Sequence, residues 1–212
     1  MLWKSRKFLK TFANKSRTLP DPKLIVIVAP SGAGKTTLAR KLVSEFDQIR
    51  FSVSATTRPP RSYERDGIDY FFLSDEEFQK KIDEGDFLEW EEVFNSYRYG
   101  TLRSVIEKQI KDGYFPLLDV EVNGALNVKQ QFGDRCISLF IRPPSLEVLR
   151  DRLTSRGTET EHSIAYRLNR AEKELNLAHK FDHVIVNDHL DRAYDEIKSI
   201  LIPFLQNTQI NH

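Results

Sequence analysis

Sulfur is scarce in this chain: its 212 residues include one cysteine and one methionine. A lone cysteine, Cys136, excludes an intrachain disulfide and a cysteine-built zinc site. Its place in the apolar run 136–141 predicts a buried structural thiol. The five histidines (His162, His179, His183, His189 and His212) form no ligand motif, although His179 and His183 lie four apart. An excess of charge of one sign is also missing. Lysine and arginine number 32 against 31 acids, a formal net charge of +1, so nothing in the balance points to a nucleic-acid partner. No apolar run approaches the ~20 residues that span a bilayer. With no secretory or spanning feature, the expected place of work is the cytoplasm.

What is present is an alternating α/β pattern. After a basic extension, 1–22, with Lys4, Arg6, Lys7, Lys10, Lys15 and Arg17 and no acid before Asp21, the run Leu24–Ala29 is continuous and rich in β-branched residues. That is the pattern of a strand buried on both faces. A loop with two glycines follows, and then a helix over 37–46 with Leu38, Leu42 and Val43 on one face. Strand patterns at 51–54, 70–73, 87–94 and 97–101 crowd a short stretch, interrupted by a capping box at Ser74–Glu77. Helices and strands then alternate: helix 102–111, strand 115–120, helix 124–131, strand 136–141, a helix capped by Ser145 that ends near Gly157, helix 162–178, strand 183–187 and helix 190–204. The fold expected is a phosphate-loop core with a parallel sheet flanked by helices, an inserted strand-rich lobe and a helical lid. The core takes 23–53, 102–142 and 180–206, the lobe 54–101, the lid 143–179, and 207–212 is a tail.

The loop Pro30-Ser31-Gly32-Ala33-Gly34-Lys35-Thr36 stands between the buried strand and a helix, the context that makes such a motif a phosphate cradle. Gly32, Ala33, Gly34 and Thr37 supply backbone N–H groups that converge on phosphate oxygens at a helix N-terminus. Lys35 reaches the β- and γ-phosphates of ATP, and the Thr36 hydroxyl helps hold Mg²⁺. Where the general pattern begins with glycine the chain has Ala29, which the loop tolerates at negative φ. The marks of a GTPase are missing: no glycine has aspartate three places before it, and Asn14-Lys15 has Arg17 where aspartate is needed. Asp119, ending a buried strand, is the natural carboxylate for the Mg²⁺ region or for an acceptor beside it.

Arg58 and Arg61 lie three apart on a loop stiffened by Pro59 and Pro60, two guanidinium forks suited to a doubly charged phosphate. Tyr70 and Tyr99 add hydroxyl donors or pack. Glu89 sits amid bulky apolar groups in Phe87-Leu88-Glu89-Trp90. A buried carboxylate needs donors, and the N1–H and N2–H₂ edge of guanine presents two side by side, whereas adenine has no such edge. Ser54 and Thr101 complete the pocket with neutral hydroxyls. Glu89 reads equally as a surface strand residue beside Glu91 and Glu92.

Together Ser31-Gly32-Ala33-Gly34-Lys35, Ser54, Thr56–Arg61, Gly67–Tyr70, Phe87–Trp90, Tyr99-Gly100-Thr101, Leu118–Val120, Arg156–Glu159 and Ile185–Asn187 occur in the order and spacing of guanylate kinases. The chain resembles that family from about Leu24 to Phe204. The resemblance implies reversible transfer from ATP, with Mg²⁺, to GMP, with tolerance of dGMP left open. It implies that Ser54, Glu89 and Thr101 contact guanine, and that Arg58, Arg61, Tyr70 and Tyr99 hold the acceptor phosphate. Asp119 lies near acceptor and metal, and Asn187 near adenine. Arg152, Arg156 and Arg167 belong to a mobile lid that neutralises the transferring phosphoryl. Where relatives usually have a second aspartate, this chain has Glu121, and that position is left out of the site. A monomer and a homodimer fit equally. Two rivals remain: a non-catalytic guanylate-kinase-like binding module, against which Lys35-Thr36 argue, and a kinase of another phosphorylated acceptor, which has no use for Ser54, Glu89 and Thr101.

Overall fold

The computed structural model describes residues 23–93, 96–155 and 160–206. The basic extension 1–22, Arg156 to Glu159 and the tail lie outside the described residues. The chain runs β1 (Leu24–Val28), α1 (Lys35–Glu45), β2 (Ile49–Phe51), β3 (Ala55–Thr56), β4 (Phe71–Phe72), α2 (Asp75–Glu84), β5 (Phe87–Glu92), β6 (Arg98–Leu102), α3 (Arg103–Lys111), β7 (Phe115–Asp119), α4 (Val122–Phe132), β8 (Cys136–Arg142), α5 (Leu146–Thr154), α6 (Glu161–Leu175), β9 (His183–Val186) and α7 (Leu190–Gln206).

Five strands form a parallel sheet in the order β2-β7-β1-β8-β9. The unbroken apolar run of β1 is explained by its central place, since every residue in it is buried. Ile25 and Ile27 face a cluster with Leu38 and Leu42 of α1 and Ile197 and Leu201 of α7. Leu24, Val26 and Val28 face the opposite cluster, with Ile106 of α3 and Ala125 and Val128 of α4. Burying each large apolar side chain in these layers contributes about 1.5–3 kcal/mol. Cys136 starts β8 inside the second cluster, where burial pushes its thiol up to about 12, too high for a reactive thiolate. Among the described residues no helix is long and apolar enough to cross a membrane.

Helix α1, which follows β1, packs on one face of the sheet and α4, which follows β7, on the other, so the loops after these neighbouring strands diverge at the carboxyl edge of the sheet. A crevice opens there, the usual ligand position in open parallel sheets. A second sheet, β4-β3-β6-β5, stands over it with its own small core of Ala55, Phe78, Phe87 and Leu102. Helices α5 and α6 pack on each other through Leu149, Leu153, Ile164 and Ala171.

Local pattern misplaced one segment. The strand expected over 51–54 lies earlier, at Ile49–Phe51, and ends once Ser52 N–H has bonded Leu117 O at 2.9 Å. The chain then crosses to the other sheet, and Ala55–Thr56 becomes its buried strand β3. Residues distant in sequence, Phe71–Phe72 and Tyr99–Gly100, make that strand, so no local periodicity announces it. Helix α4 begins at Val122, two residues before its sequence-read start, and the strand read to residue 94 ends at Glu92, with Phe94 outside the described residues. The capping box is present: Ser74 Oγ accepts from Glu77 N–H at 3.1 Å, and Glu77 Oε2 from Ser74 N–H at 2.8 Å.

Candidate active site

One cleft of about 710 Å³ lies between the two sheets and α6. The phosphate loop forms one wall. Its glycines make the turn possible: Gly32 and Gly34 hold φ of +97° and +96°, a region costly for residues with a Cβ. Gly34 is needed twice over, because a Cβ there would overlap Asn187 Nδ2. Among the described residues Ser96 is the one non-glycine at positive φ, so Ala29 stands at negative φ, where alanine fits. Ser31, Gly32, Gly34, Lys35, Thr36 and Thr37 all line the cleft. Ala33 is buried behind them, and its carbonyl accepts from Asn187 Nδ2 at 2.7 Å. The Asn187 side chain is thus committed to bracing the loop. Arg152 lies outside the cleft lining too, donating to Asn187 O at 2.8 Å.

Lys35 forms an ion pair with Asp119, at the end of β7. Burial alone would lower the Lys35 ammonium, but Asp119, Glu121 and Glu174 outweigh it, so its pKa is raised and the charge is secure. Thr36 and Asp119, hydroxyl and carboxylate, are the hard oxygen donors that suit a magnesium ion.

The opposite wall comes from the second sheet. Arg58 donates to Glu64 Oε1 at 2.8 Å and to Pro59 O at 2.7 Å, with its guanidinium 5.4 Å from the Tyr70 ring centre. The hydrogen bond to Glu64 raises the Arg58 pKa, and that same bond holds the Glu64 carboxyl below its ordinary value. Glu64 Oε2 also accepts from Arg61 N–H at 2.8 Å, so one carboxylate anchors both arginines. Tyr70 and Tyr99 meet edge to face at 6.0 Å, and burial pushes the Tyr70 phenol up.

Glu89 is placed by a break in strand parity. In a regular strand Phe87 and Trp90 would face opposite sides. The ladder slips between Phe87 and Glu89, and this bulge turns Phe87 and Trp90 together onto Phe78, with ring centres 4.4 and 6.4 Å away. Leu88 and Glu89 both turn toward α4, Leu88 into the core and Glu89 into the cleft. Glu89 is 8% exposed, and Thr101 Oγ1 donates to its Oε1 at 2.6 Å. Burial, with Glu91 adding to it, pushes the carboxyl up to about 7 in spite of that hydrogen bond. Gly124 makes room, since a Cβ there would overlap Glu89 Oε2. Ser54 lines the cleft, while Thr101 is buried behind Glu89.

The third wall is α6. Arg167 Nη1 donates to Ser31 Oγ at 2.6 Å, linking this helix to the phosphate loop. Arg170, which sequence reasoning passed over, bridges Glu121 and Glu174, bonding Glu174 Oε1 at 2.7 Å. Glu121 therefore does reach the cleft, through its longer side chain. Glu64 and Gly124 were passed over as well. Arg61-x-x-Glu64 spacing and a glycine inside a helix pattern were the available signals. Arg156 lies outside the described residues.

The family model described as guanylate kinase matches residues 21–203. The chain belongs to the guanylate kinase family. It is 50% identical to guanylate kinase of Salinibacter ruber over 189 residues, covering 89% of this chain and 100% of that protein. It is 47% identical to guanylate kinase of Chlorobium chlorochromatii, covering 88% of this chain and 97% of that one. Among solved structures, guanylate kinase from Anaplasma phagocytophilum superposes with a TM-score of 0.70 at 31% identity, covering 88% and 87% of the two chains.

Proposed function

We propose that this chain is an ATP:GMP phosphotransferase, moving the ATP γ-phosphoryl reversibly to GMP to give ADP and GDP. The observation that carries the reading is a buried, proton-hungry carboxylate, Glu89, in the same cleft as the Lys35 phosphate loop. The core segments 23–53, 102–142 and 180–206 take ATP, the lobe 54–101 takes GMP, and 143–179 forms the lid.

Glu89 accepts from guanine N1–H and N2–H₂, and Thr101 holds its carboxylate in place. Ser54 offers a hydroxyl to the same base. Arg58 and Arg61, with Tyr70 and Tyr99, hold the GMP phosphate and point one of its oxygens at the γ-phosphorus. That oxygen is already ionised near neutral pH, so no general base is needed. The new P–O bond forms as the bond from γ-phosphorus to the β-phosphate oxygen breaks, and the electron pair leaves with ADP. Loop N–H groups and Lys35 stabilise charge on the phosphates, and Arg167, beside Ser31, adds its own from the lid. To do this Lys35 exchanges its Asp119 partner for phosphate, which frees the Asp119 carboxylate. Thr36 and Asp119 are the residues that would hold Mg²⁺, whose chemistry there is neutralisation of phosphate charge.

The test is ADP release from ATP and Mg²⁺ with GMP, AMP, CMP, UMP or no acceptor, side by side. Release with GMP alone supports both the transfer and the base selectivity; release with no preferred acceptor, or none at all, refutes the reading.

A further inference from the structure

Arg167 is not alone in joining α6 to the core across the cleft. Arg170, three residues on and so on the same face of the helix, pairs with Glu121. Glu121 follows Asp119, the end of β7, by two residues and stands at the start of α4. Its side chain makes no cap bond to that helix and turns to Arg170 instead. On the other side of the guanidinium, Glu174 Oε1 accepts from Arg170 Nε at 2.7 Å, one turn further along α6. Glu174 is buried, and Leu175 beside it packs against the core, so Arg170 is aimed from the anchored end of the helix.

Apolar packing alone leaves a helix free to slide or roll. The contacts of α6 with α5 run through Leu149, Leu153, Ile164 and Ala171, and burial of such side chains has no direction of its own. A planar guanidinium held at Nε by one carboxylate and at Nη2 by another does have one. That fork fixes the rotation of α6 about its axis and its distance from the end of β7. Arg167, about 4.5 Å away along the axis, is carried with it to Ser31 Oγ. We propose that Arg170 is a positioning residue for phosphoryl transfer: by anchoring α6 to Glu121 it holds Arg167 against the phosphate loop. Arg170 does not itself lend charge to the phosphoryl, since two carboxylates already balance it. This rests on the kinase reading, in which Arg167 neutralises the transferring group.

The experiment measures kcat for transfer from ATP to GMP, both saturating, in Arg167→Ala, Arg170→Gln, Glu121→Gln and their pairwise combinations, with the folded fraction of each followed by circular dichroism. Arg167→Ala is expected to lose at least about a hundredfold, as for removal of one donor to the transition state. Arg170→Gln and Glu121→Gln should each lose about ten- to a hundredfold, the effect of a misplacement of about 1 Å. Arg170→Lys, whose single ammonium keeps the charge without the fork, regains part of the rate. The combinations decide. Once Arg167 is gone, removing Arg170 should cost less than about twofold more, and Arg170→Gln with Glu121→Gln should lose no more than either alone, because each pair shares one interaction. A role confined to stability would leave kcat per folded molecule untouched, so full kcat in Arg170→Gln overturns the inference, as does full kcat in Arg167→Ala. Losses that multiply when Arg167 and Arg170 are changed together, in a chain whose wild type transfers to GMP, overturn the anchor alone. A wild type that transfers nothing to GMP overturns the kinase reading, and this inference with it.

Discussion

If Glu89 receives the guanine edge, GMP affinity must depend on its protonation. Burial raises this carboxyl to about 7 from an ordinary 4.5. Between those values the folded protein holds a proton that the unfolded chain has lost, so this group's contribution to stability falls as pH rises. At about 1.4 kcal/mol per unit, the full penalty above pH 7 is on the order of 3 kcal/mol. Guanine needs the ionised form, because N1–H and N2–H₂ only donate. In the free protein Glu89 is about one-tenth ionised a unit below its pKa and about nine-tenths ionised a unit above, so GMP should bind roughly tenfold more weakly near pH 6 than near pH 8. The phosphate of GMP, with a second pKa near ~6, adds only about twofold. Calorimetric titration of GMP across this range, in buffers of different ionisation enthalpy, measures both the affinity and the proton released, about half a proton near pH 7. Glu89→Gln should bind more weakly throughout and keep only the phosphate's twofold slope. An unchanged tenfold slope in that variant, or a wild-type affinity that is flat from about pH 6 to 8, would refute the account of Glu89.

Three further outcomes follow from the same geometry. Lys35→Met should lower kcat by at least about a thousandfold while GMP binding stays within a few-fold; retained turnover, measured by ADP release, would remove the role of the phosphate loop. Gly124→Ala places a methyl against Glu89, so the KM for GMP should rise at least about tenfold with the KM for ATP unchanged; a gain of about 1 kcal/mol from helix propensity with no change in KM would contradict the packing argument. Arg170→Ala leaves Glu121 and Glu174 without their shared cation and should cost about 1–3 kcal/mol in urea unfolding. Burial already raises Glu174, and Arg170 opposes that, so the loss should be larger near pH 8 than near pH 4; equal losses would count against it.

What the sequence by itself determined was whatever depends on neighbours a few residues apart. The run rich in β-branched residues at 24–28 and the largely apolar run at 136–141 are strands buried on both faces, and two glycines between a strand and a helix make a phosphate loop. Ser74 with Glu77 starts a helix, and Arg58 and Arg61 share one stiff turn. Backbone preference and short-range hydrogen bonding act over those distances, so they can be read in one dimension. Tertiary structure decided the rest. β3 exists only because Phe71 and Tyr99 come to lie on either side of Ala55 and Thr56. Glu89 was evenly balanced between surface and pocket in the sequence, and a ladder slip together with a missing Cβ on Gly124 resolved it. Asn187, 154 residues from Ala33, became a brace for the loop, and Arg170 found Glu121 across 49 residues. These pairings are set by the packing of sheets and helices brought together from far along the chain, and burial then sets the charge of the groups they enclose.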